Sequence, residues 1–425
     1  MRHEHHLSLW IELAGSVNTG DAGVLAEASV IGDSVMRQLC FVLVCFVCVP
    51  AMAQEPKLEL NAGLSAAIDR AGQNKPQLLD ALERVPAEQK EGMEFLIRWM
   101  PERDLKSLTA DFLLENVKLA YQVRTQTPWG KQIPKSVFLN DVLPYANVNE
   151  PRHPWRKDFL DRFMPVVAEC KTPSEVAQKL NQTVFKTLNV KYSRKRKKAD
   201  QSPKESMESG LASCTGLSIV LSDACRAVGV PARLVGIPKW ANKPGNHTWI
   251  EVWDKDWQFT GAAEPSAKGL NHTWFQRDAA QAEVDSKMSA IYAASFKKTG
   301  TNFPLIWAPR TRWVNAVNVT NRYTPAATEN AVPRLMIRVW NTDRSARVAA
   351  NVSVAQSAPG EKSRTGRSRN EGFDTNDILT FDVDFNQTYV VTVSTAKGST
   401  VTQNVEVGEK KQVIVDVVLP RVTGS

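Results

Sequence analysis

The chain has 425 residues, 43% hydrophobic and 23% charged. That balance supplies apolar material for two or three cores and excludes a disordered or low-complexity chain. The formal charge of +8 suits an anionic cell envelope or an acidic substrate; no aromatic-basic platform accompanies it, so nucleic acid is not an expected partner.

Met1 to about Val35 is polar and patternless, and its His3-Glu4-His5-His6 cluster has no scaffold to hold a metal. Met36-Arg37-Gln38 then opens an apolar run from Leu39 to Val49 that ends in Ala51-Met52-Ala53-Gln54. A short basic start, an apolar stretch of about eleven residues and an Ala-x-Ala exit read as a secretory signal peptide. The run is too short to cross a bilayer, which takes roughly 20 apolar residues. This reading starts translation at Met36, makes 1–35 a non-native extension and 36–53 the signal, and sets cleavage after Ala53. An uncleaved N-terminal anchor is the rival, and the Ala-Met-Ala-Gln junction disfavours it. Three of the six cysteines, Cys40, Cys45 and Cys48, fall in the signal, which leaves Cys170, Cys214 and Cys225. An odd number in an exported chain leaves one thiol unpaired. Cys170 and Cys225 are read either as a disulfide or as two buried apolar side chains.

Residues 54–135 read as helical. Apolar residues at helical spacing recur over Leu58 to Leu82, Glu88 to Met100 and Asp104 to Val123, with Pro76, Pro86 and Pro101 as breaks. Nothing there looks chemical, and a helical cap on a catalytic core is expected. Val137 to Arg156 carries three prolines and unpatterned polar residues, which suggests an ordered loop over a cleft. Thr172-Pro173-Ser174-Glu175 starts a helix with a cap and a proline in the first turn, and Val190 to Tyr192 reads as a short strand. The basic run Arg194-Lys195-Arg196-Lys197-Lys198 follows. Such a run is ordinarily a solvated loop; its place just ahead of the next element raises the idea of a cleft border that favours acidic substrate.

That next element organises the chain. Ser213-Cys214-Thr215-Gly216 leads into Leu217, Val220, Leu221, Ala224 and Val228, at steps of three and four, and Gly229 and Pro231 end the helix. A cysteine at a helix N-terminus meets the positive end of the dipole and unpaired amide donors, which favour thiolate over thiol. Cys214 and Cys225 cannot pair within one helix, because eleven residues at 1.5 Å rise separate them by roughly 16 Å. Ala232 to Ile237 reads as a strand. His247-Thr-Trp-Ile-Glu-Val-Trp253 alternates as another, with His247, Trp249, Glu251 and Trp253 on one side. Asp254-Lys255-Asp256 turns the chain into a hairpin return over Trp257 to Thr260. The tetrad Asn246-His-Thr-Trp249 recurs as Asn271-His-Thr-Trp274, but the second copy runs into a helix start. A rigid strand positions a base better than such a junction does, so His247 is preferred to His272.

Ser213-Cys214-Thr215-Gly216, the run from Cys225 to Arg233 and His247-Thr-Trp-Ile-Glu-Val together resemble the transglutaminase-like superfamily, a branch of the papain-type cysteine enzymes. The resemblance covers about Thr172 to Pro265. It implies an α+β core, a nucleophile helix packed on an antiparallel sheet, with Cys214 as nucleophile and His247 as base. The family's third member, usually an Asp four residues after a Trp, falls here on Gly261. Glu264-Pro265 stands three residues later as a displaced acidic-Pro pair, which makes Glu264 the candidate. Groups upstream of the cysteine help form the oxyanion site and substrate walls in the family, and Tyr145 and Trp155, with Trp249, are the candidates for substrate contact. No metal and no cofactor are expected, since the remaining Cys and His show no close ligand spacing.

From Arg334 onward short β-branched or alternating runs, Leu335–Trp340, Val348–Val354, Ile378–Val383, Thr388–Val393, Val401–Val407 and Val413–Leu419, are separated by turn residues, with Pro359 to Glu371 a polar, basic loop. They predict an all-β sandwich over 333–420 beside a catalytic domain over 136–325. The combined expectation is a secreted or periplasmic cysteine protease, amidase or acyltransferase acting on peptide, protein or cell-wall peptide amides. The alternative is a catalytically impaired module that binds or scaffolds at the envelope. A redox role for Cys214 ranks last, because no Cys-x-x-Cys partner exists.

Overall fold

The computed structural model describes residues 61–324, 332–357, 363–396 and 398–421. The expected extension and signal peptide therefore lie outside the described residues. No helix among the described residues is long and apolar enough to cross a membrane.

The N-terminal helices are Ala62–Arg70, Lys75–Arg84, Lys90–Trp99 and Ala110–Gln126, joined by shorter turns. Asn61 and Thr109 cap the first and last by accepting from Leu64 N–H and Phe112 N–H. The helical stretch expected over Leu58 to Leu82 is divided, but ahead of the break expected at Pro76. Gly72, at φ +59°, ends the first. Pro76 lies in the first turn of the second, where its missing N–H costs no hydrogen bond. Leu64, Ile68, Leu78, Met93, Leu96 and Leu113 meet in one core, which Phe138 and Tyr145 complete.

Residues 137–156 depart from the expected loop over a cleft. They begin in a helix, Lys135–Asp141, and then run beneath the nucleophile helix, Cys214–Ala227. Ser222 Oγ donates to Asn147 Oδ1 at 2.6 Å, and Asn147 Nδ2 donates to Asp223 Oδ1 at 2.8 Å. The buried Arg156 guanidinium donates to the carbonyls of Val142, Leu143, Pro144 and Arg226. The segment is irregular because its backbone groups are satisfied by these side chains rather than by a ladder.

A six-stranded antiparallel sheet carries the site. Its order is Asp256–Thr260, His247–Asp254, Ala232–Ile237, Tyr292–Ser295, Asn315–Asn318 and Thr301–Asn302. The first three strands are those expected, and Lys255 takes φ +63° at the hairpin turn. The nucleophile helix, with Arg156–Val167 and Pro173–Thr187, covers the face that holds Leu234, Ile250 and Val252. The opposite face holds Val235, Ile237 and Trp249 under an aromatic layer of Trp240, Phe275 and Tyr323. The architecture is α+β.

The C-terminal strands form two sheets around one core that includes Leu335, Val352, Val391 and Val417. One orders Arg364–Arg367, Asn351–Gln356, Thr388–Ser394 and Thr400–Glu406; the other orders Leu379–Asp382, Arg334–Trp340 and Gln412–Val418. Arg364–Arg367 lies inside the stretch expected to be a loop. It is an edge strand, where exposed charge is tolerated and apolar alternation is not required. The segment that follows, 368–378, is held from within. Arg347 donates to the carbonyls of Asn370, Phe373, Asp374, Thr375 and Asp377. The described residues of the six-stranded sheet and of the sandwich belong to one compact unit, and this segment reaches the start of the histidine strand.

Candidate active site

Ser213 is the N-cap of the nucleophile helix. Its Oγ accepts from Gly216 N–H at 3.1 Å and donates to Ala199 O at 2.6 Å. Cys214 takes the first helical position and is half-exposed, whereas every residue from Thr215 to Ala227 is buried. The first turn is fastened to the histidine strand: Thr215 Oγ1 lies 3.0 Å from Thr248 Oγ1, and Ser218 Oγ donates to Thr248 O at 3.1 Å. These two bonds to the residue after His247 hold the start of the helix against the start of the strand.

The His247 side chain is 1% exposed. Its ring lies among Trp274 and Phe275, both at 4.9 Å between centroids, Trp249 at 5.9 Å and Trp240 at 6.2 Å. A carboxylate faces each ring nitrogen. Glu264 Oε2 lies 3.9 Å from Nε2, and Asp374 Oδ2 lies 3.6 Å from Nδ1. One donor atom each from Cys214, His247 and Asp374 lie within 4.8 Å of one another.

Glu264 sits where the register argument asks for an acid. A Cβ built on Gly261 would meet Glu264 Oε2 at 2.1 Å. The carboxylate thus fills the volume of a side chain at position 261, delivered from three residues downstream through Ala263 at φ +63°. Trp274 Nε1 donates to Oε2 at 2.8 Å. The second Asn-His-Thr-Trp tetrad enters the site through this tryptophan; His272 is exposed.

Asp374 is the group that sequence reasoning missed. It comes from segment 368–378 of the sandwich, and its side chain is 2% exposed. Oδ1 accepts from Asn376 N–H at 2.8 Å and from Asn376 Nδ2 at 2.9 Å, which leaves Oδ2 turned to His247. Asn376 Nδ2 also donates to Asn246 O, and Lys243 Nζ to Asn376 O, which ties the segment to the catalytic sheet. No local pattern marks this residue as chemical: it is one Asp in a polar turn, with no apolar periodicity around it.

The charges follow from burial and these neighbours. Burial pushes the His247 imidazole down, but Asp374, then Cys214 and Glu264, outweigh it and push it up to about 10. Burial pushes the Glu264 carboxyl up to about 7, with His247 opposing; its side chain is 22% exposed. Asp374 is held below the usual carboxylate range: burial raises it, and His247 and the Asn376 donors lower it by more.

Cys214 opens onto a cavity of about 360 Å³ walled by Tyr192, Arg194, Arg196, Trp307 and Asp374. The basic run is therefore at the cleft border. A second cavity, of about 580 Å³, shares Tyr192 and Asp374 with the first and reaches Glu264 and Phe185. The three residues expected to contact substrate line neither. Tyr145 is buried and donates to Asp104 Oδ2 at 2.9 Å; Trp155 Nε1 donates to Tyr145 O at 2.9 Å. Trp249 is fully buried behind His247 and donates to Tyr323 Oη at 2.9 Å. Cys170, Cys214 and Cys225 are all free thiols, and burial pushes Cys225 up to about 12.

Residues 163–262 match the family model of the transglutaminase-like superfamily. This is a transglutaminase-like domain. The matched residues hold Cys214 and His247 and stop short of both carboxylates. Among solved structures, a candidate cysteine protease from Cytophaga hutchinsonii is similar at 18% identity over 38% of this chain and 58% of that one, with a TM-score of 0.23. Red sea bream transglutaminase is similar at 8% identity over 60% of this chain and 58% of that one, with a TM-score of 0.26. The chain thus spans 58% of the length of each of these two neighbours. Comparison with curated proteins gives no match. Within the matched residues the helix holds Cys214 and the sheet His247; Glu264 and Asp374 reach the imidazole from two separate loops outside them.

Proposed function

We propose that the protein is an exported cysteine enzyme that cleaves or transfers peptide or side-chain amides through a Cys214 thioacyl intermediate. One observation carries this reading: the Glu264 carboxylate occupies the volume of a side chain at Gly261 and faces Nε2 of a buried His247, beside a helix-terminal Cys214. The Cys214 thiolate attacks the amide carbonyl and forms the C–S bond. The Cys214 N–H, which has no intrahelical acceptor at the first helical position, faces the developing oxyanion. His247 gives its proton to the leaving amine as the C–N bond breaks. Water or a second amine then attacks the thioester, loses a proton to His247 and releases Cys214. Glu264 positions the imidazole through this cycle. Arg194 and Arg196 on the cavity wall favour substrates with acidic groups near the target amide.

Export rests on the signal-like residues 36–53, and the net charge of +8 favours contact with an anionic envelope. Peptides, proteins and cell-wall peptides are the substrate classes that fit this setting. The test is a mixture of acidic peptide amides and a labelled amine, read by mass spectrometry for an acyl adduct on Cys214. Adduct and turnover in the wild type, both absent in His247→Ala, support the enzyme. The second reading, an impaired module that uses the cleft as a binding groove, draws on Asp374, which stands beside Cys214 on the reactive side of the imidazole. Binding of the same peptides with no adduct in the wild type favours that reading.

A further inference from the structure

Three distant segments bring a sulfur, a nitrogen and an oxygen donor to one point. Cys214 starts the nucleophile helix, His247 starts a strand of the catalytic sheet, and Asp374 projects from the sandwich. One donor atom of each lies within 4.8 Å of the others. His247 Nδ1 and Asp374 Oδ2 are buried, face each other at 3.6 Å and have no hydrogen-bond partner among the described residues. Two unpartnered polar atoms in side chains 1% and 2% exposed are costly unless something sits between them.

The spacing fits a metal ion. With metal–nitrogen and metal–oxygen bonds of about 2.0–2.2 Å at the tetrahedral angle, two ligand atoms stand about 3.4 Å apart. The orientation of Asp374 is already set. Asn376 takes both hydrogen bonds to Asp374 Oδ1 and leaves Oδ2 free. Glu264 Oε2 faces the far nitrogen of His247 at 3.9 Å, beyond hydrogen-bond distance, and supplies the outer negative charge of a carboxylate–histidine–metal arrangement. Thiolate and carboxylate together cancel the charge of a divalent ion, so no net charge is buried. The half-exposed Cys214 and the cavity of about 360 Å³ give the ion a way in and leave a fourth position for water. Mixed sulfur, nitrogen and oxygen donors select a borderline transition metal over calcium or magnesium.

We propose that Cys214, His247 and Asp374 form a reversible site for a divalent transition-metal ion, Zn²⁺ by its donor set, whose binding takes Cys214 out of chemistry. The ion displaces to solvent every proton held on the Cys214 sulfur and on His247 Nδ1, and ties up both lone pairs, so that a thiolate, a neutral imidazole and a carboxylate surround it. Because Asp374 belongs to the sandwich, the same ion clamps sandwich and catalytic sheet together. Binding does not depend on Cys214 being a nucleophile; the block of activity rests on that reading.

The experiment is titration of the metal-free full chain with Co²⁺ as a spectroscopic probe, followed by Zn²⁺ competition. One equivalent of Co²⁺ should give a thiolate-to-metal charge-transfer band and the visible bands of a tetrahedral site, displaced by Zn²⁺. The charge-transfer band should vanish in Cys214→Ser. Asp374→Asn, a near-isosteric change, should weaken Zn²⁺ binding by at least about tenfold. Binding without the charge-transfer band in the wild type overturns the proposal whatever the variants do, as does an Asp374→Asn affinity equal to wild type. Iodoacetamide labelling of Cys214 with chelator or with Zn²⁺ separates the two claims. Fast labelling in chelator with no protection by Zn²⁺ sinks the metal site and leaves the enzyme. Slow labelling in chelator alongside Co²⁺ binding sinks the enzyme and leaves the metal site.

Discussion

Gly261→Ala tests the displaced acid without touching it. The new methyl would stand 2.1 Å from Glu264 Oε2, far inside contact distance. The backbone at Gly261 needs no positive φ, so alanine fits the chain itself. What gives way is the flexible end of Glu264, which must leave its place 3.9 Å from His247 Nε2. If the carboxylate retreats to about 6 Å, its attraction for the imidazolium falls by about 1.5 kcal/mol at an effective dielectric of about 20. That is about one unit on the His247 titration. The assay is histidine NMR across alkaline pH, where the wild type should titrate near about 10 and the variant about one unit lower. Labelling and turnover at Cys214 should fall about tenfold with the protein still folded. Glu264→Gln should move the midpoint the same way, and Gly261→Asp with Glu264→Ala should recover much of it. A folded Gly261→Ala with an unmoved midpoint and full activity would refute the claim that Glu264 stands in for the acid at 261.

Glu251 is fully buried and accepts from Arg233, Arg322 and Tyr323; Glu251→Ala leaves Arg233 buried and should cost about 3–5 kcal/mol in urea unfolding. The His247 titration is raised, so its ion pair with Asp374 stabilises the fold fully below the unfolded histidine value and is lost as pH rises through about 10. Asp374→Asn should flatten that alkaline decline in melting temperature, and an unchanged profile would count against the pair. Arg347→Ala frees five carbonyls at once and should speed amide exchange across 370–377, with little change in the helices at 62–126. Iodoacetamide at pH 8 should label Cys214 first and leave Cys225, which burial pushes up to about 12, untouched until unfolding.

The Cys214 helix, the histidine strand and its hairpin were legible because their signals are local. Ser213 announces the cap, Gly229 and Pro231 the end, and alternation the strand. Most sandwich strands were legible for the same reason, and the edge strand Arg364–Arg367 was not, since an exposed edge needs no apolar period. Glu264 could be reached by counting from Trp257 once the family resemblance was in hand. Asp374 could not, because its role comes from a contact between two layers of the fold and nothing in Phe373-Asp-Thr-Asn376 differs from an ordinary turn. Tyr145 and Trp155 misled for the complementary reason. Aromatic residues in a proline-rich segment read as cleft walls, yet their polar tips find partners in the interior at Asp104 and at the Tyr145 carbonyl.

The pairing of Cys214 with His247 underlies the proposed activity. Its most direct test is the rate of Cys214 alkylation by iodoacetamide against pH, with chelator present, in the wild type and in His247→Ala. Rapid labelling of the wild type is expected at neutral pH, with a loss of at least about tenfold in His247→Ala and the difference closing in strong alkali. Superimposable profiles for the two proteins would contradict the pairing.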